Sequence, residues 1–318
     1  MYKSMAQFNF KAIGTSWQID VYEDNGVQLD LKEQNEILVK IRNRIDAFDE
    51  AYSRFRSDSI IAQISKNAGQ YEFPADSVKL FETYFDLYKL TNGYFTPLVG
   101  QILVDAGYDA DYSLKQKREL TIPPKWEDVM EFKADKSSLS KNILKIKKPV
   151  QLDFGAAGKG YIIDLVGKVL EENGYKDYCI DAGGDILHKR KGNEERSKES
   201  EILRVGLEDP ENADQVIGVY NLGNASICGS AGNRRRWGDF THIMNPKTLA
   251  SPTDIIAVWV IADSALLADA LTTCLFFVKP ESLMQKSSSD NLYKFEYFIL
   301  YKDRSFEKSA NFNGEVFM

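Results

Sequence analysis

Apolar residues recur along this chain with two different periods, and the periods predict which segments become helices and which become strands. Ile37, Leu38, Ile41, Ile45 and Phe48 fall at helical spacing on one face. Val78, Phe81, Phe85 and Tyr88 do the same in a second helix. It is expected to begin near Pro74 and to end at Asn92-Gly93, where glycine suits a left-handed C-terminal cap. Ile163, Val166 and Leu170 predict a third, entered from the glycine-rich turn of "QLDFGAAGKGY" and stopped at Gly174. Strands are expected at 12–22, around 143–146, through "DYCIDAGGDIL" with a break at its Gly-Gly pair, and at 202–208, 215–221 and 255–262. A closing hairpin is expected around Asp303, and a short helix at 126–132 within an otherwise polar, irregular stretch from 105 to 140. Residues 189–201, "KRKGNEERSKESE", read as a charged, mobile loop. Helices and strands mix without regular alternation, which predicts the α+β class rather than a doubly wound sheet.

One helical segment departs from ordinary patterning. "DSALLADALTTCLFF", residues 263–277, is apolar almost throughout, yet Asp269 sits in its middle. An unpaired buried carboxylate costs several kcal/mol or more, so it must be paired, protonated or bound to a metal. Thr273 lies four residues on, on the same helical face. Two hard oxygens converging there suit Mg²⁺, which takes few protein ligands and completes its shell with substrate phosphates. An aspartate bonded to nearby backbone or to a cation explains the helix as well.

Two further stretches carry candidate chemistry. In "DFGAAGKGYIID" (153–164), glycines at 155, 158 and 160 let backbone approach a ligand, a helix N-terminus follows to favour an anion, and Lys159 adds a cation. The order is neither that of a Walker A loop nor that of the Rossmann fingerprint. A tight strand-to-helix turn accounts for it equally. "DFTHIMNPKT" places His242, one of only 2 histidines, beside a proline turn, where a general base with a pKa near the working pH is one reading and a loop-bonded histidine another. His188 is expected on the surface.

Composition narrows the possibilities. The 318 residues suffice for one large domain or two intimately packed ones. A net charge of -7 and the lack of a basic stripe argue against a nucleic-acid partner. No apolar run approaches the ~20 residues needed to span a bilayer. The N-terminal "MYKSMAQFNFKAIGTSW" lacks an apolar signal core or a cysteine for lipid attachment, so a cytoplasmic location is expected. Cys179, Cys228 and Cys274 lie in apolar stretches with no C-x-x-C pairing and read as reduced, buried thiols.

Taken in order along the chain, these pieces resemble the ApbE family, the FAD:protein FMN transferases or flavin transferases. "GTSWQID" is similar to the family's Met-Gly-Thr strand, "YSRFRSDS" to its Ser-x-Tyr…Ser-Glu segment and "GYFTPLVG" to Phe-Asp-Pro-x-Val-Gly. "LDFGAAGKGYIID" resembles Asp-x-Gly…Ala-Lys-Gly-Tyr-x-x-Asp, "DAGGDI" the Gly-Gly pair, "THIMNPKT" His-Ile-x-Asp-Pro-x-Thr-Gly, and "ADALTT" Ala-Asp-Ala-x-x-Thr. The resemblance implies mixed sheets with flanking helices, related to the T-fold. It implies Mg²⁺ held by Asp269, Thr273 and the carbonyl of Gly158, FAD as substrate, and a target protein whose Ser or Thr hydroxyl receives FMN as AMP leaves. His242 is then the general base. Lys159 lies near the phosphates or flavin, Asp164 contacts the dinucleotide, and Phe55 offers a stacking face. Thr96, Gly183 and Gly184 join the flavin site. Several positions depart from the pattern: Thr96 and Asn245 stand where the family has Asp, Ile60 where it has Glu, Ser65 where it often has Asn, and Leu249 where it has Gly. These departures leave an Mg²⁺-dependent FAD pyrophosphatase, or a flavin-binding protein without turnover, as alternatives.

Overall fold

A hairpin opens the fold where one strand is expected. β1 (Ser4–Ala12) and β2 (Thr15–Tyr22) pair antiparallel, with Ala12 opposite Thr15. Between them Ile13 and Gly14 both take left-handed φ, 44° and 76°, as two-residue hairpin turns of the primed type require. Ile13 is β-branched and reads as strand, so the pattern hides the break. The computed structural model describes residues 4–22, 29–133, 141–190, 202–233, 235–284 and 293–318.

α1 (Leu31–Tyr52) starts at a capping box of Asp30 and Glu33 and buries Ile37, Ile41, Ile45 and Phe48, the expected face. α2 (Ile60–Ile64) and β3 (Gly69–Pro74) follow, then α3 (Ser77–Leu90). Pro74 closes β3 instead of opening the helix. The buried face of α3 is Leu80, Phe81, Tyr84 and Leu87. That face is rotated from the expected one, because Phe85 turns out to solvent and packs on Trp126. After α4 (Gly100–Asp105), the helix expected at 126–132 shrinks to one turn, α5 (Trp126–Val129). The chain then becomes β4 (Met130–Lys133), which pairs with β5 (Lys141–Ile146) in a small sheet of order β3-β5-β4.

The glycine-rich stretch leads into α6 (Gly158–Glu172), stopped as expected at Gly174 with φ 91°. β6 (Tyr178–Ala182) and β7 (Asp185–Lys189) form a hairpin over Gly183-Gly184, and β8 (Leu203–Asp209) pairs with β9 (Asn212–Leu222). β10 (Ala225–Ala231) is a central strand that the pattern does not reveal. Its sequence, ASICGSA, is small and partly polar because a helix lies close against it. Short β11 (Arg236–Trp237) and β12 (Phe240–Thr241) precede β13 (Ile255–Ala262), α7 (Ala265–Cys274) and α8 (Pro280–Leu283). β14 (Phe295–Tyr301), β15 (Phe306–Lys308) and β16 (Gly314–Val316) close the chain, with the hairpin around Asp303 in place.

An antiparallel eight-stranded sheet of order β1-β2-β6-β7-β10-β13-β14-β15 organises the molecule, and the α+β class holds. Strand alternation sends Trp17, Ile19, Ile180, Cys228 and Val260 to the face covered by α1, α6 and α7. Ile227, Ile261, Phe298 and Leu300 go to the other face, which packs against the sheet β16-β9-β8. The three cysteines are buried free thiols, as expected. His188 is not a surface residue: β7 buries it, Nδ1 meets the Gly223 carbonyl at 3.0 Å, and burial lowers its pKa. The charged loop expected at 189–201 lies, beyond Arg190, outside the described residues. Among the described residues no helix is long and apolar enough to cross a membrane.

Candidate active site

α6 and α7 run antiparallel and touch, and the contact depends on a missing side chain. A Cβ on Gly160 would fall 2.0 Å from the Ala265 carbonyl oxygen and 2.7 Å from the Asp269 Cβ. At this separation each helix caps the other. Asp269 Oδ2 of α7 accepts from the Gly160 N–H at 2.8 Å, in the first turn of α6. Asp164 of α6 accepts from the Ala265 and Leu266 N–H groups, at 2.8 and 3.0 Å, in the first turn of α7. Carboxylates at helix N-termini satisfy orphan amides and meet the positive end of the dipole. Asp164, expected to contact a dinucleotide, thus has both oxygens engaged by α7.

Asp269 is only partly compensated by that amide. Burial, and then the charge of Asp185, push its pKa up to about 8, against the pull of Lys159 and the Gly160 N–H. Of the two threonines that follow, Thr272 is committed: its Oγ1 donates to the Asp269 carbonyl at 2.6 Å and lies 2.8 Å from Ser230 Oγ. Thr273, only partly buried and one turn above Asp269, is the hydroxyl on the same face. Gly158 begins α6 two residues before the amide that Asp269 holds. Among the described residues no group of three or more His, Cys, Asp or Glu side chains is placed to hold a metal. The Asp269 carboxylate, the Thr273 hydroxyl and the Gly158 carbonyl are oxygen donors of the kind a small hard cation takes when it shares its shell with phosphate oxygens.

Lys159 reaches Asp185, with Nζ 2.9 Å from Oδ2 and the lysine side chain 31% exposed. Burial works against its charge, but the carboxylates of Asp185 and Asp269 outweigh it and raise its pKa. Asp185 is fully buried and also accepts from the Gly229 N–H at 3.0 Å. Sequence reasoning overlooked it, although it directly follows the Gly-Gly pair. That pair sits at φ 68° and 92°, and a Cβ on Gly183 would meet Thr15 Oγ1 at 2.1 Å. Both glycines border a cleft of about 390 Å³ on the far face of the sheet, with Tyr22, Asp181 and Trp259.

His242 follows β12, its backbone N–H donating to the Arg235 carbonyl, and its Nδ1 is buried with no partner. Its pKa is not near neutrality as expected. Burial, and then the charge of Arg235, lower it to about 4, with Lys159 acting in the same direction and Asp153 opposing. The imidazole is therefore neutral near pH 7. Asn245 closes the following turn, its Oδ1 accepting from the Lys247 and Thr248 N–H groups at 2.9 and 3.2 Å. Leu249, in the family's glycine position, holds φ 60°.

Aromatic rings form the remaining wall. Arg54 is buried in an ion pair with Asp153, and its guanidinium lies over Phe55 at 4.2 Å and over Tyr108 at 4.7 Å. Arg235 Nη1 donates to the Tyr108 hydroxyl at 2.7 Å, which joins this wall to the His242 segment. Asp153 Oδ1 accepts from the Gly155 N–H at 2.7 Å, which joins it to the glycine-rich turn. Phe55 remains 37% exposed. Thr96, by contrast, is buried and caps the 3₁₀ turn Pro97–Val99, accepting from the Leu98 N–H at 3.2 Å. Arg54, Asp153 and Arg235 were not anticipated, and only the position of Asp153 in "LDFG" hinted at a role.

Residues 13–293 match the model of the ApbE family. The chain belongs to the ApbE family. A FAD:protein FMN transferase of Haemophilus influenzae is 23% identical over 308 residues, covering 93% of this chain and 86% of that protein. One from Escherichia coli K12 is 25% identical over 288 residues, covering 85% and 78%. The crystal structure of the ApbE protein of Thermotoga maritima superposes with a TM-score of 0.75 at 20% identity, covering 98% and 97% of the two chains. The flavin transferase ApbE of Vibrio cholerae gives 0.72 at 16% identity, covering 97% of each. The mixed sheets and flanking helices are those of ApbE structures.

Proposed function

We propose that this chain transfers the FMN half of FAD to a serine or threonine hydroxyl of a target protein, with Mg²⁺, releasing AMP. The relatives' activity supports the flavin chemistry. The observation that carries the reading is the seating of Asp269 on the Gly160 N–H in the first turn of α6, next to Lys159, whose charge acts both on Asp269 and on the buried His242.

Asp269, Thr273 and the Gly158 carbonyl would hold Mg²⁺, which when bound offsets negative charge on the pyrophosphate. Lys159, tethered by Asp185, presents its ammonium to the phosphates at the positive end of the α6 dipole. His242, neutral in the resting site, accepts the proton of the acceptor hydroxyl as that oxygen bonds to the FMN phosphorus. The bond from that phosphorus to the bridging oxygen breaks, and AMP leaves with the electron pair. Anionic phosphates beside His242 raise its proton affinity above its resting value, which a base that titrates near 4 needs. Phe55 gives the flavin an apolar stacking face. Asp164 and Thr96 act behind the site by fixing α7 and the Pro97 turn.

The test is incubation with FAD, MgCl₂ and a library of serine- and threonine-bearing peptides. Mass measurement of the peptides and assay of free AMP and FMN follow. Transfer gives AMP together with a peptide heavier by FMN less water. AMP and free FMN in equal amounts, with no labelled peptide, would replace transfer by pyrophosphate hydrolysis.

A further inference from the structure

Phe55 already carries an aromatic stack, from a residue whose backbone is strained. Tyr112 stacks on Phe55 with ring centroids 5.2 Å apart and planes 10° apart. The Arg54 guanidinium lies 4.2 Å from the same ring centroid, so two flat groups pack on Phe55. The two differ in kind. Arg54 is buried and tied to the Asp153 carboxylate. Tyr112 is 54% exposed, and no hydrogen bond of its hydroxyl is among those found in the structure.

Tyr112 has φ 50° and Leu114 φ 52°, a conformation that large side chains seldom adopt. A short loop after Gly107 imposes it. Asp109 Oδ1 accepts from the Asp111 and Ser113 N–H groups at 3.1 and 2.9 Å, Oδ2 accepts from Ser113 Oγ at 2.5 Å, and the Leu114 N–H donates to the Gly107 carbonyl at 2.8 Å. Strained, exposed backbone next to a candidate site is where a movable part is expected.

We propose that Tyr112 is a displaceable stand-in for the flavin ring: it stacks on Phe55 in the resting protein and yields that place to the isoalloxazine when FAD binds. The inference rests on the flavin-site reading above. Of the groups packed on Phe55, which include Tyr108 edge-on, Tyr112 is the one that can leave without exposing a buried charge or breaking a bond to Arg235. The site then disfavours ligands that cannot replace one aromatic stack with another. Tyr112 is thereby a specificity-determining residue for flat, ring-bearing ligands, set apart from the phosphate-binding end.

The experiment titrates wild type, Tyr112→Ala, Tyr112→Phe and Phe55→Ala with FAD, FMN and ADP, each with MgCl₂. Flavin fluorescence follows the first two ligands and calorimetry the third. Removing the competitor should tighten FAD and FMN binding in Tyr112→Ala by roughly two- to tenfold, the scale of one aromatic pair. ADP affinity should not change, and Tyr112→Phe should retain the wild-type affinities. Weaker or unchanged flavin binding in Tyr112→Ala would overturn the proposal, since the ring would then be a wall of the occupied site or a bystander. Phe55→Ala reports on the underlying reading: if it leaves flavin affinity and quenching intact, the flavin does not sit on Phe55 at all.

Discussion

The two sides of the site are built in opposite ways. On one side, α6 and α7 lock through Gly160 and two reciprocal caps, and Lys159, Asp164 and Asp269 are each bonded within regular structure. On the other, Phe55, Tyr108, Tyr112, Arg235 and His242 come from turns and loops, the last two flanking two-residue strands, and positive φ recurs at Tyr112, Leu114 and Leu249. In the proposed reaction the first side supplies fixed charge, and the second supplies flat surfaces and a neutral base. Phosphoryl transfer relies on charges that are already in position, because reorganising them costs barrier height. A ring needs only a face, and a face can be lent by a loop. Rigid helices for the phosphates and adjustable aromatics for the flavin are what this division of labour predicts.

The sharpest way to break the helix side is Asp269→Asn. The amide can still accept from the Gly160 N–H, so the fold should survive, and removing a carboxylate that burial already disfavours should leave thermal stability without metal at or above the wild-type value. Mg²⁺-dependent turnover should fall by more than about a hundredfold, since a neutral amide is a poor ligand for a hard dication. Near-normal turnover would move the metal elsewhere.

On the loop side, His242→Ala should slow transfer by roughly a hundredfold, the scale of a lost general base, with FAD affinity almost unchanged. A pH series separates this from a structural defect. The folded pKa lies near 4, below the ordinary 6.5. Between these values the unfolded chain binds a proton that the folded chain refuses, so acid favours unfolding. The stability is fully present above about 6.5 and drains as pH falls toward 4, by at most about 1.4 kcal/mol per pH unit. Denaturant titrations should show that slope shallower in His242→Ala. In wild type the acid limb of kcat/KM should lie well below that of an ordinary histidine. A limb at 6.5 would contradict the burial of this imidazole.

Gly160→Ala tests the closeness of the helices themselves. The added methyl meets backbone rather than a flexible side chain, so α6 and α7 must separate. A loss of about 1–3 kcal/mol is expected by denaturant titration. Because the same shift pulls Asp269 from the first turn of α6, turnover should fall with it. Full activity at wild-type stability would mean that the contact is not needed to form the site.

How far the sequence revealed this arrangement follows the same division. Helices with a clear apolar stripe, α1 and α6, were legible, as was Asp269, because a carboxylate among alanines and leucines contradicts its surroundings. β10 was not, because a strand pressed against a helix uses Ala, Ser, Cys and Gly, which carry no periodic signal. Nor was the Ile13-Gly14 turn, where a β-branched residue occupies a conformation it disfavours. Lys159 and His242 were found through motif order, whereas their partners Asp185, Arg235 and Asp153 depend on pairings across the fold. Asp164 shows the limit from the other direction: its place in a motif suggested a ligand, and its bonds to the first turn of α7 could not be read from the sequence.

The choice between cap and ligand contact at Asp164 carries the smallest effect and the finest discrimination. Asp164 donates no proton and bonds the first two amides of α7 with both oxygens, although burial raises its pKa against them. If its task is to cap, Asp164→Ala should cost about 1 kcal/mol, the usual value for a lost N-terminal cap. FAD affinity measured well below the melting temperature should then stay within about twofold. Asp164→Asn should recover part of the stability, because its carbonyl can still accept one of the two bonds. Ser264 continues to cap the Leu267 N–H, so α7 should shift rather than unravel. If Asp164 instead touches the dinucleotide, the pattern reverses: affinity drops severalfold in both variants while stability barely moves. Thermal unfolding without ligand and calorimetry with FAD, run on the same preparations, separate the two outcomes.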